Sequence, residues 1–153
     1  MPDMQLVDNL NRALSCELAA VIQYTQHSFL VSGPEREVFR SYFRKQGEES
    51  YQHAITLGDK IVALGGVPTI EPGLIRQSIS LTEMLHQDLE LEREAIQAYM
   101  EAWKSCGDQE MPTRFQLEER IYNEQIHIDE LEKLTSERKA SVADEKIILR
   151  QVI

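Results

Sequence analysis

The chain has 153 residues, 42% hydrophobic and 27% charged, which is ordinary usage for one globular domain and far from the composition of disordered chains. A fold of this size buries roughly 70% of the surface its unfolded chain exposes, so a real core is expected. Lys and Arg number 16 against 26 Asp and Glu, a net of −10, which disfavours nucleic-acid binding by phosphate neutralisation.

No stretch approaches the ~18 unbroken apolar residues that span a bilayer, so no membrane association is expected. The start Met1-Pro2-Asp3-Met4 has neither a basic segment nor an apolar signal run, and the expected location is the cytoplasm. Cys16 and Cys106 are the only cysteines and form no CxxC cluster, so both read as structural thiols.

Helical periodicity marks four long segments. The first runs from about Met4 to Ser32 after Asp3 as N-cap, and Ser32-Gly33-Pro34 ends it. The second follows Pro34 and stops at Leu64, before Gly65-Gly66 and Val67-Pro68. A long connection carries Pro68, Pro72 and Gly73. Ser80-Leu81-Thr82-Glu83 has capping-box spacing and opens the third segment, which ends near Cys106-Gly107. Pro112 suits the first turn of the fourth, which runs to about Lys139. Short connections make antiparallel hairpins of helices one and two and of helices three and four, while the long middle connection can cross the length of a bundle. The expected architecture is all-α: a four-helix bundle over residues 1–140 with a long crossover between helices two and three. The tail 141–153, with Ile147, Ile148, Leu149, Val152 and Ile153, reads as a short fifth helix docked on a neighbour or as an intrachain cap.

Helical phase aims charged groups at the core. On the first helix Leu6, Leu10, Leu14, Glu17, Val21 and Tyr24 form one stripe. The third repeats the pattern with Leu85, Leu89, Glu92, Ile96, Tyr99 and Trp103, and the fourth with Leu117, Ile121, Glu124, His127 or Ile128, Leu131 and Leu134. Three inward carboxylates near the midpoints of separate helices repel one another unless cations or protons intervene, and a bound metal resolves that conflict. Glu124-Gln125-Ile126-His127 is a Glu-x-x-His motif that presents a carboxylate and an imidazole on one helical face. On the second helix, Phe39, Phe43, Gln46, Ser50, His53, Leu57 and Leu64 share a stripe with His53 at ligand depth. Ser50, not a glutamate, stands three before His53. Glu49, four before it, reaches inward only if the helix carries a π-bulge or turns slightly. Tyr24 and Tyr99 read as core tyrosines with a hydroxyl partner, and His27 and His86 as surface or interface residues. Of the acidic run Glu90, Glu92 and Glu94, only Glu92 is expected to face inward.

Over about residues 4 to 138 the chain resembles the bacterioferritins and the wider ferritin-like di-iron carboxylate superfamily. Glu17-Leu18 with Gln23-Tyr24, His53-Ala54 leading to Leu64-Gly65-Gly66, Asp88-Leu89-Glu90-Leu91-Glu92, and His127-Ile128-Asp129-Glu130-Leu131-Glu132 carry the resemblance. It implies a bundle that oxidises Fe(II) at a carboxylate-bridged di-iron centre, often within a homo-oligomeric shell. By resemblance Glu17 and His53 serve one iron, Glu92 and His127 the other, Glu124 bridges, and Tyr24 stands beside the ligands, with Glu17 and Tyr24 closest to the catalysis. Ser50 fills the position of the second bridging carboxylate. Tyr51 fills that of the haem-ligating methionine, so no haem is expected. The implied cofactor is iron, two per subunit or one if the site is degenerate, with manganese also suited to these ligands. The expected partners are Fe(II), O₂ or peroxide, and further copies of the chain. The alternative that Ser50 favours is a non-catalytic relative holding one metal or none, with a role in assembly.

Overall fold

The computed structural model describes residues 3–136. Among them are four long α-helices, α1 (Met4–Leu30), α2 (Arg36–Ala63), α3 (Leu81–Lys104) and α4 (Met111–Thr135), with one short 3-10 turn at Asp108–Glu110 and no strand. None of these helices is long and apolar enough to cross a membrane.

The helix ends follow the local chemistry that the sequence announces, with shifts of a few residues. Asp3 caps α1, its Oδ1 accepting from the amides of Gln5 at 3.1 Å and Leu6 at 3.2 Å. α1 ends at Leu30 rather than Ser32, and the Arg36 guanidinium turns back to donate to the Phe29 carbonyl at 3.2 Å. α2 stops at Ala63, and Gly65 then takes a φ of 85°, a left-handed conformation that costs glycine nothing. Ser80 caps α3 by accepting from the Glu83 amide, but the Glu83 carboxylate accepts from Ser78 Oγ instead of closing the capping box. α4 ends at Thr135 because Ser136 adopts φ 58°, short of the expected Lys139. The proposed fifth helix or cap at 141–153 lies outside the described residues.

α1 and α3 run antiparallel, as their cross-links show: Asn9 reaches the Glu101 carbonyl, Tyr99 reaches Glu17, Tyr24 reaches Glu92, and His27 reaches Asp88. The connection 64–80 is laid along α1 in register. Asn11 bonds Val67 and Thr69, Ser15 bonds Glu71 and Gly73, Gln23 accepts from the Arg76 amide at 2.9 Å, and Gln26 meets Gln77. This is the long crossover, carrying the chain from the end of α2 to the start of α3 with several of its backbone groups paired to side chains or backbone of α1.

Two apolar clusters fill the bundle. One gathers Leu6, Leu10, Leu14, Leu57, Ile61 and Leu117, and the other Phe43, Met84, Leu85, Leu89, Ile128 and Leu131. Between them lies a polar layer in which Glu17, His53, Glu92 and Glu124 are all buried. The inward phase expected for these residues is what the fold adopts. Two stripe members depart from it. Trp103 is 36% exposed, bonding Glu118 through Nε1 and lying under Arg114, and Leu134 is 37% exposed near the end of α4.

The helices are unevenly joined. α1 packs on α2, α3 on α4 and α1 on α3, whereas no Cα of α2 comes within 8 Å of a Cα of α4.

Candidate metal centre

Each helix contributes to the polar layer through a residue whose phase on an apolar stripe turns it inward. Two triads result, each with one donor atom per residue lying within 4.8 Å of the others: Glu17, His53 and Glu124, and Glu92, Glu124 and His127. Glu124 belongs to both. His53 Nδ1 lies 3.2 Å from Glu17 Oε1 and 3.7 Å from Glu124 Oε1, and His127 Nδ1 lies 3.8 Å from Glu124 Oε2.

Glu124 is 1% exposed, and its Oε2 is a buried acceptor with no hydrogen-bond partner. Burial, and then the neighbouring carboxylates of Glu92 and Glu17, push its carboxyl well above the usual range. An orphaned oxygen on a carboxylate that stands among two imidazoles and two further carboxylates is a costly arrangement for a structural core. It fits a divalent cation on each side, where imidazole and carboxylate donors suit iron or manganese.

Two tyrosines fix the outer carboxylates. Tyr24 donates to Glu92 Oε1 at 2.6 Å and Tyr99 donates to Glu17 Oε1 at 2.7 Å. Burial holds both hydroxyls well above their usual range, so they stay donors. The expectation of core tyrosines with hydroxyl partners is met, and the partner in each case is a member of the centre.

Ser50 lies on the buried face of α2 and brings no carboxylate. Glu49 does approach the cluster, although α2 is an uninterrupted α-helix and no π-bulge brings it there. It stands on the solvent side, with Oε2 3.1 Å from His127 Nε2. A cavity of about 280 Å³ opens between α2 and α4, lined by Glu49, His53, Asn123, Ile126 and His127. Solvent thus meets the cluster along the edge where α2 and α4 make no close backbone approach.

His27 corrects the sequence expectation. It is fully buried, with Nδ1 3.1 Å from Asp88 Oδ2 and Nε2 3.2 Å from Gln87 Oε1, its ring edge on Phe43. Asp88 accepts from Gln23 Nε2 at 2.9 Å, and burial pushes its carboxyl up to about 6. The signal was available: Asp88 precedes Glu92 by one turn, and His27 follows Gln23 by one turn on the stripe beside Tyr24. His86 is half-buried. Cys106 is buried, while Cys16 is partly buried with its thiol pushed up to about 12 by desolvation. Glu90 and Glu94 are exposed and face Arg76 on the crossover, leaving Glu92 as the inward member of that run.

An antiparallel four-helix bundle with a long crossover and a carboxylate–imidazole cluster at mid-height defines a class of helical metal-site scaffolds. A family described as the ferritin-like domain matches residues 7–140, and the chain belongs to it. A bacterioferritin of Streptomyces coelicolor is 31% identical over 134 residues, covering 85% of this chain and 79% of the relative. Among solved structures, a ferritin-like di-iron carboxylate protein of Bacillus anthracis superposes with a TM-score of 0.82 at 32% identity, over 86% of this chain and 96% of that one. A dodecameric thioferritin of Bacteroides fragilis, a bacterioferritin-related protein, gives 0.77 at 26% identity over 86% and 84%.

Proposed function

We propose that this chain binds iron between its helices and oxidises Fe(II) with O₂ or peroxide for storage or detoxification. One Fe(II) is taken by Glu17, His53 and Glu124, and the other by Glu92, Glu124 and His127, with Glu49 adding a carboxylate on the His127 side. The observation that carries this reading is the buried carboxylate of Glu124, which belongs to both triads and whose Oε2 has no hydrogen-bond partner. Relatives named for di-iron and bacterioferritin sites support iron over other cations.

Each part of the site has a task. Carboxylate and imidazole groups bind a cation in their deprotonated forms, so cation binding would weaken as pH falls. Tyr24 holds one oxygen of Glu92 and leaves the other for the cation. The apolar clusters above and below keep bulk water from the layer, and the opening between α2 and α4 admits Fe(II) and oxidant. Iron supplies the redox chemistry, and the protein the geometry. We further propose a homo-oligomer in the cytoplasm, with 1–140 as the bundle and no bound haem, because Tyr51 offers no thioether.

Iron soaking with anomalous difference maps at the iron edge is the test. Density within coordination distance of Glu92, Glu124 and His127 is expected; density at the surface alone, with the cluster closed on itself, would remove the reading. A second reading, a non-catalytic relative with one metal or none, is favoured by Ser50. It predicts at most one iron per subunit and no oxygen uptake on Fe(II) addition.

A further inference from the structure

The two tyrosines are arranged crosswise. Each stands seven residues after the glutamate of its own helix, Tyr24 after Glu17 and Tyr99 after Glu92, so each pair shares one helical face two turns apart. Because α1 and α3 are antiparallel, each hydroxyl reaches the glutamate of the other helix: Tyr24 to Glu92 and Tyr99 to Glu17. Exchanging α1 with α3 and α2 with α4 turns Glu17 into Glu92, Tyr24 into Tyr99 and His53 into His127. It turns Ser50 into Glu124, three residues before the histidine, and that is where the correspondence fails.

The failure makes the two halves unequal in what they ask of their tyrosine. The half with His127 has Glu92, the shared Glu124 and the nearby Glu49. The half with His53 has the shared Glu124 and one carboxylate of its own, Glu17. Glu17 Oε1 is also 3.2 Å from His53 Nδ1, so two ligand groups of the same half are within reach of satisfying each other. The Tyr99 hydroxyl, at 2.7 Å, is the stronger partner of that oxygen.

We propose that Tyr99 is the positioning residue of the Glu17–His53 half: its hydroxyl holds Glu17 Oε1 and so fixes the orientation of that carboxylate beside His53. This rests on the metal-centre reading above. Tyr24 does the same for Glu92, but there a further carboxylate stands by, so the half served by Tyr99 depends more on its tyrosine.

Cobalt(II), which needs no oxidant to be observed, is the probe. The metal-free full chain and its Tyr99→Phe and Tyr24→Phe variants are titrated with it, and occupancies at the two positions are followed by anomalous scattering at the cobalt edge. Tyr99→Phe is expected to weaken the Glu17–His53 position about ten- to a hundredfold and leave the other within about twofold, the usual cost of losing a ligand's orienting partner. Tyr24→Phe should weaken the Glu92–His127 position instead, and by less. Equal weakening at both positions in Tyr99→Phe, or none, overturns the proposal. Absence of cobalt between the helices of the unaltered protein refutes the metal-centre reading itself, and the proposal with it. Thermal unfolding of the metal-free proteins separates lost packing from lost positioning, and Tyr99→Leu repeats the comparison if the phenylalanine variant does not fold.

Discussion

Ser50 is where a charged bidentate ligand is replaced by a hydroxyl, on a buried face and one turn from His53. Introducing the carboxylate by Ser50→Glu should raise affinity for the second iron and the rate of Fe(II) oxidation by about tenfold, if the new ligand contributes on the order of 1.4 kcal/mol. Fe(II) titration with oxygen uptake measures both; two equal irons in the unaltered protein, with no gain in the variant, would mean that an unassigned group completes the site. Asp88 gives a different residue-scale expectation. Its carboxyl is raised from 3.8 to about 6 in the folded protein, so between these values the native state holds a proton that the unfolded chain has released. Its contribution to stability is therefore greatest at low pH and is lost as pH rises through that window. The metal-free protein should lose stability from pH 4 to 6 relative to Asp88→Asn, as read from urea unfolding at each pH. Parallel profiles would show that His27 and Gln23 already compensate the charge.

Among the elements, the end of α2 is closely joined to α1. The Gly66 amide donates to the Ile61 carbonyl at 2.9 Å, and a Cβ there would lie 2.6 Å from Val7 Cγ1, on a buried, β-branched side chain of α1. Gly66→Ala should destabilise the bundle by about 1–3 kcal/mol, the range for overpacking a core, and lower the urea midpoint without changing the slope. The helices themselves were legible because caps, glycines and prolines act locally: Asp3, Ser80, Gly65 and Pro112 mark ends within a few residues of where the fold puts them. Helical phase likewise suffices to turn Glu17, Glu92 and Glu124 inward. What phase does not contain is the rotation of one helix against another. The pairing of Glu49 with His127 and the crossing of Tyr99 to Glu17 depend on it, and so does the burial of His27, whose partner lies 61 residues away.

For the whole molecule, surface composition speaks to assembly. Ile22 and Phe29 on α1, and Ile70, Leu74 and Ile79 on the crossover beside it, are exposed apolar side chains. A surface of that kind is expected to be covered in a symmetric assembly of copies. Sedimentation should report a single large species, and a monomer at micromolar concentration would overturn both the assembly and storage in an enclosed space.

The missing backbone approach between α2 and α4 gives the bundle the mechanics of a book. α1 and α3 are its spine, the two hairpins its covers, and the open edge is spanned by side chains alone, Glu49 to His127 and His53 to Glu124. Cations held by both covers would act as the clasp. Hydrogen exchange should accordingly slow on metal loading in the middle of α2 and α4 far more than in α1 and α3, because local opening at the free edge is what the clasp suppresses. Uniform slowing across all four helices would mean that the edge does not open independently of the spine.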